Sequence, residues 1–191
     1  MRAYRRWKGA LAAIASAMFA VFSAAARAQQ VDDEQNFVDT YRCAVLQRLD
    51  FIVAQRHSDE QNRFLVLDLP EKPLGFTQDY VQCAFDADNT RMLCEAASGW
   101  WAKEGPRTDF LPKTSVAALA SLGFSTDDSH GNFKRFIDTP DENGRIAAAE
   151  LLLKALYRAY GARLSNRLTV TAPLSREKDA PLRESKCALI S

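Results

Sequence analysis

The stretch from Tyr80 to Ser98 restricts the fold more than any other part of the chain. Tyr80–Asp86 and Arg91–Ser98 read as strands on either side of Asp88-Asn89, a pair able to supply the positive φ angles of a tight turn. With those two residues as the turn, Ala87 faces Thr90, Phe85 faces Met92, Cys83 faces Cys94 and Val81 faces Ala96. Side chains alternate along a strand, so this register places Val81, Cys83, Phe85, Met92, Cys94 and Ala96 on one apolar face. Tyr80, Gln82, Arg91 and Glu95 fall on the other.

The remaining elements follow from periodicity. Val38, Tyr41, Val45, Leu49 and Ile52 recur at helical spacing, which predicts a helix over about 34–55, with Asp32, Asp33 and Glu34 at its N-terminus. Arg63–Leu69 reads as a strand ending at Pro70, and Pro70, Pro73 and Gly75 mark a turn. A polar connection over 99–112 contains Trp100 and Trp101. A short helix is expected over 113–122, stopped by Gly123, and then a strand over 132–138. Pro140, Asp141, Asn143 and Gly144 predict a turn. A second long helix is expected over 145–160, with Ile146, Ala149, Leu153, Leu156, Tyr157 and Tyr160 on one stripe and Gly161 as its cap. A short strand at 168–171 precedes a tail, 173–191, expected to be mobile. The order α-β-β-β-α-β-α is that of an α+β domain, helices packed on an antiparallel sheet.

The N-terminus predicts export. Arg2, Arg5, Arg6 and Lys8 precede an apolar run from Ala10 to Ala26, and Ala26-Arg27-Ala28 is a small-x-small cleavage site. The run covers about 25 Å as a helix, short of a roughly 30 Å hydrocarbon core, so a signal peptide (1–28) is expected rather than an anchor. Trp7-Lys8-Gly9 fits a twin-arginine signal poorly, which favours the general secretory route. No cysteine follows the run to carry a lipid. A single domain over 29–172 is expected, periplasmic or secreted, with no stable membrane insertion after cleavage. The whole chain has 25 Lys and Arg against 24 Asp and Glu. Losing the five basic residues of the leader (Arg2, Arg5, Arg6, Lys8 and Arg27) leaves the remainder four charges negative. An acidic domain without a basic stripe is a poor match to nucleic acid.

Four cysteines lie beyond the leader, an even number that favours disulfides in an exported chain. The hairpin register makes Cys83–Cys94 the leading pair. A two-residue turn would put it at a hydrogen-bonded site, where the Cα spacing is wide; a four-residue turn would reverse that phase. The competing reading is two buried cysteines packed as small hydrophobes. Cys43, opposite the apolar stripe of the first helix, and Cys187 form the complementary pair. Cys-x-x-Cys is absent, as is any ligand spacing typical of zinc.

Several short words occur in a recognisable order: Tyr80-Val81-Gln82, Glu95-Ala96, Leu119 through Phe124, Asn132-Phe133-Lys134-Arg135, and an Ala-rich helix closing in Tyr160-Gly161. In this the segment 63–162 resembles the type III secretion chaperone-like superfamily, especially its YbjN-like and TY-Chap branches. The resemblance implies a compact domain that binds other polypeptides through sheet or helix faces, often as a homodimer, without enzymatic activity. Members are usually cytoplasmic, whereas this chain carries an export signal, so the fold and the task can differ.

No catalytic motif is found: no Gly-x-Ser-x-Gly elbow, no phosphate-cradling glycine pattern, no calcium loop in 138–144. His57 precedes Asp59 and Glu60 in a polar break. His130 follows Asp127 and Asp128, and a small hydrolase or metal-dependent enzyme built there is the alternative; a polar turn into a strand is the plainer reading. Adjacent Trp100 and Trp101 are candidates to anchor a partner peptide, against one packing under the sheet edge and one shielding the hairpin. Tyr80, Gln82 and Glu95 join them as the candidate binding residues, with a solvated cross-strand network as the plainer use of Gln82, Arg91 and Glu95. The expected function is a non-enzymatic protein- or peptide-binding module needing no cofactor or metal; a disulfide-stabilised envelope factor with a structural or stress role is a further alternative.

Overall fold

The computed structural model describes residues 34–55, 62–71, 73–74, 78–86, 88, 90–101, 111–127, 131–139, 141–174 and 180–182. The expected signal peptide therefore lies outside the described residues. The chain divides after Asn36, and of the first unit only the opening residues of a helix are described. The second unit carries everything below.

Its elements run α1 (34–54, from Phe37 onward in this unit), β1 (Phe64–Asp68), β2 (Tyr80–Phe85), β3 (Arg91–Ala96), α2 (Lys113–Ser121), β4 (Phe133–Asp138), α3 (Glu142–Tyr160), β5 (Thr169–Thr171) and a two-residue β6 (Ala180–Pro181). The strands form one open sheet in the order β4-β3-β2-β1-β5-β6, every neighbouring pair antiparallel. This is the expected α+β architecture. Residues 180–182, within the segment expected to be a mobile tail, instead extend the sheet: β6 pairs with β5, and Leu182 is buried and donates its N–H to Leu168 O.

The hairpin register is as read: Val81 opposes Ala96, Cys83 opposes Cys94 and Phe85 opposes Met92. The turn differs. Asp86 N–H donates to Arg91 O, so the loop holds four residues rather than two, and Asp86 Oδ1 accepts from the N–H groups of both Thr90 and Arg91. A short carboxylate bonding back to the chain stabilises such a turn. Because 86–91 is a hydrogen-bonded pair, alternation makes 83–94 a non-hydrogen-bonded one, where side chains approach most closely. The Cα atoms there are 4.0 Å apart and the two sulfurs are bonded. Cys43, expected on the open side of α1, is buried and also disulfide-bonded. Its expected partner, Cys187, lies outside the described residues.

Leu65, Leu67, Val81, Cys83, Met92, Cys94, Ala96 and Val170 point to one side of the sheet and are fully buried. Helix α3 covers that side, and α1 and α2 flank it. The α1–α3 pairing is antiparallel: Phe37 meets Tyr157 with ring centroids 5.5 Å apart, Arg42 Nη1 reaches Glu150 Oε1 at 3.0 Å, and Arg145 Nε reaches Asp50 Oδ1 at 2.5 Å. Held between two helices and a sheet, α3 is buried around most of its girth, with Leu151, Leu152 and Ala155 covered as well as Ala149, Leu153, Leu156, Tyr157 and Tyr160 of the expected stripe, whose first residue, Ile146, is half-buried. Each such leucine contributes about 1.5–3 kcal/mol of hydrophobic stabilisation.

Helix α3 starts three residues earlier than its periodicity suggests. Asp141 Oδ1 accepts from Gly144 N–H at 3.0 Å, an N-cap that turns the expected Pro140–Gly144 turn into the first helical turn. Gly144 is required there because the end of β4 passes against that turn. A Cβ on it would sit 2.4 Å from Asp138 O and 2.7 Å from Thr139 Cα.

Candidate binding surface

Helices occupy one side of the sheet; over the other, no helix of the described residues lies, and its strand surface is partly open to solvent. Its rows are set by register. Phe136, Leu93, Ala84 and Phe64 lie in line across β4, β3, β2 and β1. Asp138 and Arg91 oppose each other on one side of that line, and Lys134 and Glu95 on the other. Phe136 is 58% exposed, and the Arg91 guanidinium stacks 4.6 Å above its ring. Such a stack anchors a cation over an apolar patch for about 0.5–1 kcal/mol at an exposed site.

Three of the five expected binding residues belong to this outer face. Gln82 Nε2 donates to Glu95 Oε2 at 2.6 Å, the cross-strand network anticipated for the pair, and half-buried Tyr80 accepts at its hydroxyl from Asn132 Nδ2 at 2.9 Å. The tryptophans follow β3 and part company. Trp100 is half-buried, whereas Trp101 is 59% exposed. Buried Ser98 shapes this corner: its hydroxyl donates to Gly131 O at 2.6 Å and accepts from Trp100 N–H at 3.1 Å, tying the end of β3 to the entry of β4. Trp101 Nε1 lies 3.9 Å from where a Cβ on Gly131 would stand. The neighbouring Asn132 in turn touches Tyr80. The 131–132 segment thus links Trp101 to the outer face, and the five residues occupy one end of it.

Beneath the sheet, Tyr160 donates its hydroxyl proton to Ala97 O at 2.6 Å. Burial, and then the negative charge of Asp79 with Tyr80 beside it, hold its pKa well above the ordinary tyrosine value, so the phenol stays a donor. This bond clamps the C-terminal end of α3 to the residues leading into Ser98.

A groove of about 430 Å³ opens between α2, β4 and α3, with Leu122, Ile137 and Leu151 beside Arg135, Glu150 and Lys154. Its charges are already engaged. Arg135 donates to Leu122 O, satisfying a carbonyl at the C-terminus of α2, and lies against Gly123. Glu150 accepts from Lys154 at 2.8 Å and from Arg42 at 3.0 Å. Burial pushes the Glu150 carboxyl up, but the bonds and charges of Lys154 and Arg42 outweigh it and hold the group below the usual carboxylate value. The outer face, whose apolar row has no such internal partners, is the better candidate for contact.

Phe136 was missed in the sequence, although a signal was there. Phe133 and Phe136 are three apart in one strand, so period-2 alternation must send them to opposite faces. No group of three or more His, Cys, Asp or Glu side chains among the described residues is placed to hold a metal. Asp127 is exposed, while His57, Asp128 and His130 lie outside the described residues. No helix among the described residues is long and apolar enough to cross a membrane. No known family model matches this chain, and no curated protein or solved structure is similar to it.

Proposed function

We propose that this protein is an exported, non-enzymatic module that binds a polypeptide partner through the outer face of its sheet, with Trp101 at the rim. The observation that carries the reading is the one-sided packing of the described residues: their helices lie on one face, and the other carries an apolar row ending in an exposed phenylalanine, with an exposed tryptophan at the end of the same face. Exposed aromatics with a neighbouring arginine have the composition of interface anchors. The Cys83–Cys94 bond supports an oxidising compartment, in keeping with the signal peptide expected at 1–28. A secretion-chaperone-like fold is part of the proposal and rests on the sequence words in 63–162.

The test is in-cell cross-linking of the exported protein, followed by mass spectrometry, against a Trp101→Ser/Phe136→Ser variant. Both side chains are more than half exposed, so the variant should fold normally. Loss of a cross-linked partner in a variant with unchanged melting is the expected result. An identical partner set in wild type and folded variant would refute the reading.

A further inference from the structure

We infer that the outer sheet face takes a second copy of this chain, stacked face to face about a two-fold axis running along the Phe136–Leu93–Ala84–Phe64 row. The inference rests on the binding-surface reading above and names its partner.

The charges of the face are self-complementary under this rotation. Along β4 the outward residues are Lys134, Phe136 and Asp138; along β3, running the other way, they are Glu95, Leu93 and Arg91. The four charges make a checkerboard around the Phe136–Leu93 pair, with signs alternating both along and across the strands. A two-fold rotation about the apolar row returns each residue of the row to its own counterpart and exchanges the two charged rows. Arg91 then lies over Glu95 of the second copy, and Asp138 over its Lys134. Symmetry repeats both pairs, giving four complementary contacts and no like-charge contact. An isologous interface must be complementary to itself in this way. Had the signs of Arg91 and Asp138 been exchanged while the other row stayed the same, the same stack would set like charges on like.

Two further observations favour this occupant. No ion pair joins any of these four residues to another within the chain among the described residues; Glu95 accepts from Gln82, and Arg91 sits over Phe136. Their charges are therefore available across an interface. The row itself supplies Phe136 and Leu93 for burial, and sheets stacked with strands nearly aligned are a standard packing. Strand spacing and rise give four to five short strands a flat area of about 400 Å² per copy. Doubled, that falls below the standard size of specific interfaces and within the range of weak, transient ones, so the dimer is weak, in the micromolar range or above.

Sedimentation velocity over about 10–500 µM tests this, with circular dichroism and melting as folding controls. Wild type should shift from monomer to dimer across the range, and the shift should weaken as salt is raised, because the contacts are rim charges. Two variants make the test sharp: Arg91→Glu/Lys134→Glu, whose checkerboard is all negative, and Glu95→Lys/Asp138→Lys, whose checkerboard is all positive. Each alone should be monomeric, weakened at least about a hundredfold, and an equimolar mixture should form a 1:1 dimer. Should either lose its fold, Phe136→Glu replaces it as the monomeric variant. A wild type that stays monomeric at 500 µM, or two folded charge variants that do not associate with each other, overturns the inference. If wild type is monomeric while cells still yield a partner that the Trp101→Ser/Phe136→Ser variant loses, self-association falls and the binding module stands. If the dimer forms and no other partner is found, the second copy is the partner.

Discussion

The two faces of the sheet are built from the same strands and the same alternation, yet they do opposite things. The inner face is dry: Leu67, Val81, Cys83 and Met92 are fully covered by α3 and its flanking helices. The outer face has comparable side chains at Phe64, Leu93 and Phe136, but no helix of the described residues lies over them, and charged residues flank the row. The difference teaches that apolar content alone does not identify a core. On the inner side a large residue is held by close packing, and removing it leaves a cavity. On the outer side it touches water already, and removing it costs little unless another molecule packs there.

Substitutions can break or sharpen that contrast. The largest effect is expected at Leu67→Ala, which should lose about 2–5 kcal/mol in chemical denaturation, while Leu93→Ala on the outer face should lose less than about 1 kcal/mol. Equal losses would mean the two faces are equally packed. Replacing Cys83 and Cys94 together by alanine opens a loop of 11 residues. The chain-entropy account gives about 3 kcal/mol for such a loop; non-reducing peptide mapping of the wild type should recover this pair. Tyr160→Phe strands the Ala97 carbonyl in the core and should cost about 1–3 kcal/mol.

The same tyrosine sets an alkaline limit. Its folded pKa is raised by burial, then by Asp79, so its contribution is complete below the ordinary tyrosine value and is lost as pH rises above that value toward the folded one. Wild type should therefore lose stability above about pH 10, and Tyr160→Phe should flatten that limb. Glu150 gives a smaller effect of opposite sign. Its folded pKa is depressed, so its stabilisation is present above the ordinary carboxylate value and fades as pH falls through the folded one. The carboxylate is half-buried but still reached by solvent, which screens its pairs, and Glu150→Gln should change stability by only a few tenths of a kcal/mol, seen as a shallower acid limb. Smallest of all, Phe136→Ser should leave the melting of dilute protein within about 0.5 kcal/mol of wild type; a larger loss would show that the outer row is packed within the monomer.

Where sequence reading succeeded, local rules agreed with the tertiary outcome. The hairpin register at 81–96 follows from alternation and an apolar face, and the α3 stripe follows from a 3.6-residue period. It failed where the decisive contact is distant. Nothing local reveals that Gly144 must be glycine because Asp138 O and Thr139 pass beside it, so a helical turn reads as a loop. The turn length at 86–91 depends on which partner the Asp86 carboxylate takes, a choice made by geometry rather than composition. The binding residues were legible one at a time; what brings them together is the bond of Ser98, past the end of β3, to Gly131 before β4, and that of Asn132 to Tyr80 at the start of β2. Whether a strand face is covered depends on where helices stop, and Phe136 stays open because the helices of the described residues lie on the inner side.

The hairpin bond has a consequence for the order of events during synthesis. Its two cysteines are separated by only 11 residues on adjacent strands, so oxidation needs no part of the chain beyond β3. Helix α3, which closes over the inner face, comes 46 residues or more after Ala96. A nascent hairpin can thus be oxidised while its sulfurs still face solvent. Once α3 docks, both sulfur-bearing side chains have no accessible surface, and an external thiol can reach the bond only after that helix has lifted away. Reduction of the mature protein should accordingly proceed at the rate of opening rather than in proportion to the reductant supplied.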